Sequence, residues 1–180
     1  MKNLVITVFI SVLISLPAGG QEAKQDDAMK NCPMHEQHPS QQTHHAMVES
    51  HGDQAMRFPH DKTTHHFRLA TDGGTIQVTV NDPNDKTNTE AIRSHLSHIV
   101  ALFGNGDFST PMFVHDGIPP GVTTMKLMKS AIHYIYEEMP SGARVRISSA
   151  DAIAVAAIHD FLRFQITDHQ TGDILEVAQD

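Results

Sequence analysis

Residues 64–80 read THHFRLATDGGTIQVTV, and the fold of the chain can be predicted outward from this stretch. Residues 64–71 are predicted to form a strand, and the Asp-Gly-Gly sequence at 72–74 is typical of a tight hairpin turn. Residues 75–80 then alternate between polar and apolar side chains, which places the apolar ones on one face of a second strand. The stretch therefore predicts an antiparallel β-hairpin with one buried face.

A helix is predicted after this hairpin, over residues 89–103. Its apolar side chains recur at the three- and four-residue spacing that forms one face of a helix. They are Ile92, Leu96, Ile99 and Phe103. Gly104 follows them and is typical of a helix end.

The second half of the chain repeats this plan. After a stretch rich in Gly and Pro at 104–121, a strand is predicted over residues 132–136. A Pro-Ser-Gly turn leads to a strand over residues 143–148, and a capping-box pattern at 148–151 precedes a helix that ends at about residue 167. The order is ββα twice. We therefore predict an α+β fold in which two ββα units form a four-stranded antiparallel sheet with two helices on one face.

The chain is predicted to have three parts: a signal peptide at 1–20, a disordered His- and Met-rich tail at 21–57, and the α+β domain at 58–180. Lys2 precedes an apolar run and small residues end the segment, which is the pattern of an export signal. The run is shorter than the roughly 20 apolar residues that a membrane-spanning helix needs. The tail has too few apolar side chains to offset the entropy lost on folding. We expect a periplasmic protein without membrane association after cleavage of the signal.

The charge and the unusual composition limit the classes of partner. Thirteen Lys and Arg against 21 Asp and Glu give a formal net charge of −8. Nucleic acid is not an expected partner, because an acidic chain repels a polyanion. The chain also has 14 His, nine Met and a single Cys. One Cys cannot form an internal disulfide, whereas the excess of imidazole and thioether indicates a metal ion as partner.

The tail contains candidate metal ligands of two chemical kinds. Soft sulfur beside imidazole favours Cu(I), while imidazole alone also suits Zn(II) or Ni(II). The candidates are Cys32, Met34, His35, His38, His44 and His45. The tetrapeptide Cys32-Pro33-Met34-His35 resembles the core of the heavy-metal-binding modules of bacterial copper and silver efflux adaptors and transport ATPases. The resemblance implies Cys32, Met34 and His35 as a ligand set, and a metal efflux or export component is a candidate partner.

A second set of candidate ligands lies in the domain. His65 and His66 are adjacent on a strand and point to opposite faces, so strand register decides which of them faces the helices. His95 and His98 lie three residues apart on the first helix and are close in space. His169 is interpreted as a cap at the end of the second helix. The other candidate ligands are Met112, His115, Met125 and His159. Two or three of these imidazoles, with or without one thioether, suit copper and are acceptable to zinc.

Most of the domain carries a further resemblance. The stretches TTHHF, VNDP, GDF, PMFVH, PPGV and IHDFLRFQITDHQTGD, within residues 63–173, resemble a group of small exported bacterial proteins of uncharacterised role. The resemblance implies that residues 63–173 form one domain. It implies no activity, so the functional hypotheses depend on the chemistry of the side chains.

Three functions are compatible with these observations. The first is a periplasmic metal-binding protein that handles copper, as a chaperone, a buffer or a resistance factor. The second is a small exported metalloenzyme with an open His-ligated copper or zinc site, and the third is a non-enzymatic partner-binding module. A coordination sphere filled by the protein would favour carriage of the metal, and a vacant position would favour catalysis.

Overall fold

The computed structural model describes residues 41–177, which form five α-helices and four β-strands. In chain order they are α1 Gln41–Met56, β1 Thr63–Ala70, β2 Gly73–Val80, α2 Lys86–Gly104, α3 Ser109–Val114, α4 Val122–Leu127, β3 Ile132–Met139, β4 Gly142–Ser149 and α5 Ala152–Asp168. Single turns of 3₁₀-helix at His60–Lys62 and Lys129–Ala131 precede β1 and β3. The predicted signal peptide and the tail up to residue 40 lie outside the described residues.

The four strands form one antiparallel sheet in the order β1-β2-β4-β3. Each hairpin turns through two residues, because Ala70 pairs with Gly73 and Met139 pairs with Gly142. The two hairpins join where β2 pairs with β4 in the middle of the sheet. The predicted α+β class and the four-stranded antiparallel sheet are therefore confirmed.

One apolar core contains alternate residues of the strands. Val78 of β2 and Val145 of β4 are at most 1% exposed, and their strand neighbours on either side are half-buried. The same core includes Ile92 of α2 and Phe161 of α5. Because strand side chains alternate between faces, this pattern explains why the two-residue period of the sequence predicts the strands correctly.

The two long helices begin and end close to their predicted limits. α5 begins after Asp151, whose carboxylate accepts hydrogen bonds from the backbone N–H groups of Ile153 and Ala154. α2 begins after Asp85, which accepts a hydrogen bond from the backbone N–H of Asn88. Such caps satisfy N–H groups that have no partner within the helix. Among residues 41–177, no helix combines the length and the apolar character required to cross a membrane.

Helix α1 occupies residues that the sequence pattern assigns to the disordered tail. Its buried residues are Val48 and Gly52, so it lacks the apolar stripe from which a helix is predicted. Polar contacts hold it instead: His44 Nε2 lies 2.8 Å from Asp168 Oδ1, and His51 Nδ1 lies 3.0 Å from the carbonyl oxygen of Phe113. Helix α1 therefore places regular structure at residues that precede the predicted domain start at residue 58.

Two short helices lie between α2 and β3. α3 occupies part of the stretch at 104–121 that the sequence marks as a connection. α4 follows Gly121, whose φ is +80° and whose added Cβ would meet the carbonyl oxygen of Ala157 at 2.0 Å. Only glycine allows this backbone conformation and this close approach to α5.

Candidate functional site

Strand register decides the orientation of the adjacent histidines on β1. His65 lies on the same face as Phe67 and Leu69, which are 3% and 2% exposed, so its ring turns toward the core. His66 points the other way and its Nδ1 lies 2.9 Å from Asp173 Oδ1. Burial raises the pKa of Asp173, but hydrogen bonds from Phe67 N–H, Thr171 and His66 outweigh it and hold that pKa below its usual range. His66 is thus part of a structural contact, and His65 is the one that faces the helices.

A cavity of about 70 Å³ lies between this face of the sheet and helices α1, α2, α3 and α5. Most of its wall is apolar, and four imidazole rings and one thioether also line it. They belong to His65, His95, His115, His169 and Met56. We call His65, His95, His169 and Met56 the inner cluster. The donors of the inner cluster come from four parts of the chain: the end of α1, β1, α2 and the residue that follows α5.

The members of the inner cluster are close to one another. His65 Nε2 lies 3.3 Å from Met56 Sδ. The rings of His65 and His169 are parallel within 2°, with their centroids 6.1 Å apart. His95 contacts Phe58 edge to face at 5.8 Å and is near enough to His65 for their charges to interact. A nitrogen and a sulfur donor of the cluster are therefore already in direct hydrogen-bonding contact.

The environment keeps these rings uncharged at neutral pH. Burial, with a smaller contribution from the nearby His95, lowers the pKa of His65 to about 4. Burial likewise lowers the pKa of His95 to about 4 and that of His169 to about 3. Neutral imidazole is the form that binds metal ions. The three rings are thus in the ligand form under ordinary conditions.

His115 also lines the cavity, but both of its nitrogens have partners. Nδ1 lies 2.5 Å from Asp168 Oδ2 and Nε2 lies 3.1 Å from Gln165 Oε1. Asp168 also pairs with His44, so this one carboxylate connects α1, α5 and the end of α3. Burial raises the pKa of Asp168, yet the hydrogen bonds from His44 and His115 outweigh it and lower that pKa. His115 and His44 are therefore placed as structural contacts, although the sequence suggested them as ligands.

The remaining candidate ligands lie elsewhere. His159 Nε2 lies 2.9 Å from the carbonyl oxygen of Ala70, and Met125 is completely buried in the apolar core. His98 is exposed on α2, Met112 is half-buried on α3, and His45 lies beside Glu49 on α1. The predicted ligands outside the described residues are Cys32, Met34, His35 and His38.

Two members of the inner cluster are absent from the predicted ligand set. His169 is the C-terminal cap residue of α5, as expected, but its ring packs against Phe67 at 5.7 Å. Met56 ends α1. Both are half-buried and continue a four-residue spacing of buried positions: His169 follows Phe161 and Gln165 of α5, and Met56 follows Val48 and Gly52 of α1. Positions four apart share a helix face, and this signal could have indicated both residues.

Within residues 41–177, no three His, Cys, Asp or Glu side chains form a ready-made metal site. The inner cluster includes a thioether and would close on an ion only after side-chain rotation. Comparison of the chain with known proteins adds no relative: no family model matches it, and neither does any curated protein or solved structure.

Proposed function

We propose that this chain is an exported copper-binding protein that carries or buffers Cu(I) at the inner cluster. The observation that carries the proposal is the convergence of three imidazoles and one thioether on a small, mostly apolar cavity. Thioether and imidazole are donors that Cu(I) accepts, and the thioether in particular favours a soft ion. The same donors are rare as a group in an ordinary apolar core, where aliphatic side chains would pack without polar atoms.

The spacing of the donors supports one shared ion. An imidazole nitrogen about 2.0 Å from a metal and a sulfur about 2.3 Å from it lie about 3.5 Å apart at a near-tetrahedral angle. His65 Nε2 and Met56 Sδ are 3.3 Å apart. Two imidazoles bound to one ion have ring centroids about 5 to 6.5 Å apart by the same bond lengths. His65 and His169 are 6.1 Å apart by this measure, and one of the two stacked, parallel rings must turn before both in-plane lone pairs reach the same ion.

The charge of the inner cluster favours a monovalent ion over zinc. All four donors are neutral, and no carboxylate belongs to the cluster. The cost of moving an ion out of water rises with the square of its charge, so neutral donors in an apolar wall offset it less well for a divalent ion. Zn(II) remains acceptable to imidazole, but the thioether and the absence of negative charge both favour Cu(I).

The predicted export signal and the Cys-Pro-Met-His tetrapeptide support a place outside the cytoplasm and a role in copper handling. In this proposal Cys32 and Met34 in the tail capture Cu(I), and the inner cluster holds it. Four protein donors would fill the coordination sphere of the ion. Carriage or buffering is therefore favoured over catalysis, which needs a vacant position.

The proposal is tested by anaerobic Cu(I) titration against a chromophoric chelator. The parent is the full mature chain with Cys32→Ser, Met34→Leu, His35→Asn and His38→Asn, which removes the candidate tail donors that precede α1. We expect one tightly bound Cu(I) per chain. His65→Asn and Met56→Leu should each weaken binding by at least about tenfold, because each removes a ligand.

Matched controls separate the ligands from the general content of His and Met. His98→Asn lies on α2, one turn from His95, but is exposed, and Met112→Leu removes a half-buried thioether outside the cluster. Both should bind Cu(I) like the parent. A parent without bound Cu(I), or equal affinity in His65→Asn and His98→Asn, would refute the proposed site.

A further inference from the structure

A second group of donors lies on the outer side of α1. Glu49 Oε1 lies 3.3 Å from His45 Nε2 and 3.4 Å from His60 Nε2. His45 and Glu49 are four residues apart on α1, and His60 begins the 3₁₀ turn that follows it. We call these three residues the outer cluster. Its members line a cavity of about 240 Å³ that His65 and His169 also line, so the outer and inner clusters share a wall.

The distances within the outer cluster differ from those of ordinary ion pairs. Charge-assisted hydrogen bonds between N–H and a carboxylate are about 2.7 to 2.9 Å long. The three side chains are 29% to 40% exposed, so packing does not prevent them from closing to that distance. Two ligands about 2.0 to 2.1 Å from a tetrahedral ion lie about 3.3 Å apart. Both contacts of Glu49 Oε1 therefore have about the length that separates two ligand atoms bound to one tetrahedral ion.

Asp53 orients the His60 ring toward this group. His60 Nδ1 lies 3.1 and 3.2 Å from the two carboxylate oxygens of Asp53, and the backbone N–H of His60 donates to Asp53 Oδ1 at 2.7 Å. A carboxylate only accepts hydrogen bonds, so Nδ1–H of His60 donates to Asp53, and Nε2, which lies beside Glu49, binds an ion once it carries no proton. A carboxylate that fixes the tautomer and direction of a histidine is the usual support of a metal-binding imidazole.

The His45 ring supplies an independent observation. Its Nδ1 is buried and has no hydrogen-bond partner among the described residues. Buried polar atoms nearly always have a partner, so this ring is held on one side only, by the contact of its Nε2 with Glu49.

We propose that His45, Glu49 and His60 bind a divalent cation of the Zn(II) class, at a site separate from the inner cluster. The carboxylate offsets one of the two positive charges, and the partial exposure of the cluster leaves room for water as a fourth ligand. Small rotations of the three side chains bring the donors to the ion. The chain would then sort metals by charge, with a monovalent ion inside and a divalent ion at the rim.

The test is a Zn(II) titration against a chromophoric chelator, in the same parent chain without the candidate tail donors that precede α1. We expect one Zn(II) per chain. Glu49→Gln and His60→Asn should weaken binding by at least about 100-fold, and Asp53→Asn, which leaves the ligands in place, by about 10- to 100-fold. Glu90→Gln and His133→Asn are matched controls, because both residues are exposed and lie outside the cluster.

Further measurements distinguish this site from the inner one and from misfolding. Met56→Leu should leave the Zn(II) affinity unchanged while it weakens Cu(I). Glu49→Gln preserves the side-chain volume, and circular dichroism checks that its helix content equals that of the parent. Co(II) in place of Zn(II) should give the strong visible bands of four-coordinate cobalt in the parent and lose them in Glu49→Gln. Unchanged Zn(II) binding in Glu49→Gln and His60→Asn, or absence of those bands in the parent, would overturn the proposal.

Discussion

Acidification should destabilise the metal-free domain through the inner cluster. The pKa of His65 and that of His95 are lowered to about 4 in the folded state, from an ordinary value of 6.5. The unfolded chain therefore binds more protons between these values, and stability falls as pH drops. Stability from this source is complete above about pH 6.5 and is lost toward pH 4. A single group with these values costs about 2 kcal/mol between pH 7 and pH 5, and the two together about 4 kcal/mol.

The loss is large compared with the stability of a typical domain, which is about 5 to 15 kcal/mol. It is measured by urea denaturation of the parent chain at pH 7, 6 and 5 with a chelator present, so that no metal holds the rings. His95→Asn removes one titrating group and should reduce the drop between pH 7 and pH 5 by about 2 kcal/mol. The test is the change in the free energy of unfolding between pH 7 and pH 5, because the substitution also changes stability at pH 7.

His98→Asn is the control for this experiment. It removes an exposed imidazole from the same helix and should reduce the drop by less than His95→Asn does, because burial is the larger cause of the lowered His95 pKa and His98 the smaller one. If His95→Asn lost as much stability on acidification as the parent does, the His95 ring would not be held neutral. The description of the inner cluster as a set of uncharged donors would then fail.

Three further predictions concern the supports of the site. Asp168→Asn weakens two charge-assisted contacts, to His44 and to His115. Urea denaturation should show a free energy of unfolding that is lower by about 2 to 3 kcal/mol. The control Asp160→Asn changes an exposed carboxylate and should alter the free energy of unfolding little. Gly121→Ala places a Cβ 2.0 Å from a backbone carbonyl oxygen of α5, at a φ of +80°. It should lower the free energy of unfolding by at least about 2 kcal/mol. In the control Gly104→Ala the added Cβ meets nothing within 4 Å, so the change should be neutral or slightly stabilising. Cu(I) at about 100 times its Kd should raise the free energy of unfolding of the parent by about 2.7 kcal/mol, and the gain should be smaller in Met56→Leu. A gain of equal size in Met56→Leu would contradict the ligand role of its sulfur.

The sheet and the two long helices could be predicted because their signals are local. Alternation along β2 and β4 and the two-residue turns require only neighbouring residues to be compared. The strand ends come within three residues of the predicted ones, since turn residues mark them. The hairpin at 72–74 differs in one detail: the turn lies at 71–72, and Gly73 and Gly74 already belong to β2. Gly74 has no room for a side chain there, because a Cβ would meet Leu162 Cδ1 at 2.3 Å.

Helix α1 and half of the site could not be predicted in the same way. α1 depends on contacts such as His44 with Asp168, which are 124 residues apart in the chain. His65 and His95 were candidates because an imidazole on an apolar face is visible in the sequence. Met56 belongs to the site only because α1 packs where it does, and a segment without an apolar stripe gives no indication of that position.

The histidines of the former tail region thus divide by what their second nitrogen contacts. His44 is engaged with a carboxylate that also binds His115, so its position serves the packing of α1. His60 is engaged with Asp53 through Nδ1, and its Nε2 lies 3.4 Å from Glu49 Oε1, at the longer distance that the proposed site requires. The same residue type in one short segment therefore has two proposed roles, and the partners of each ring separate them. His-rich composition indicates metal binding for the segment as a whole, but the partners of each ring decide which of them can supply it.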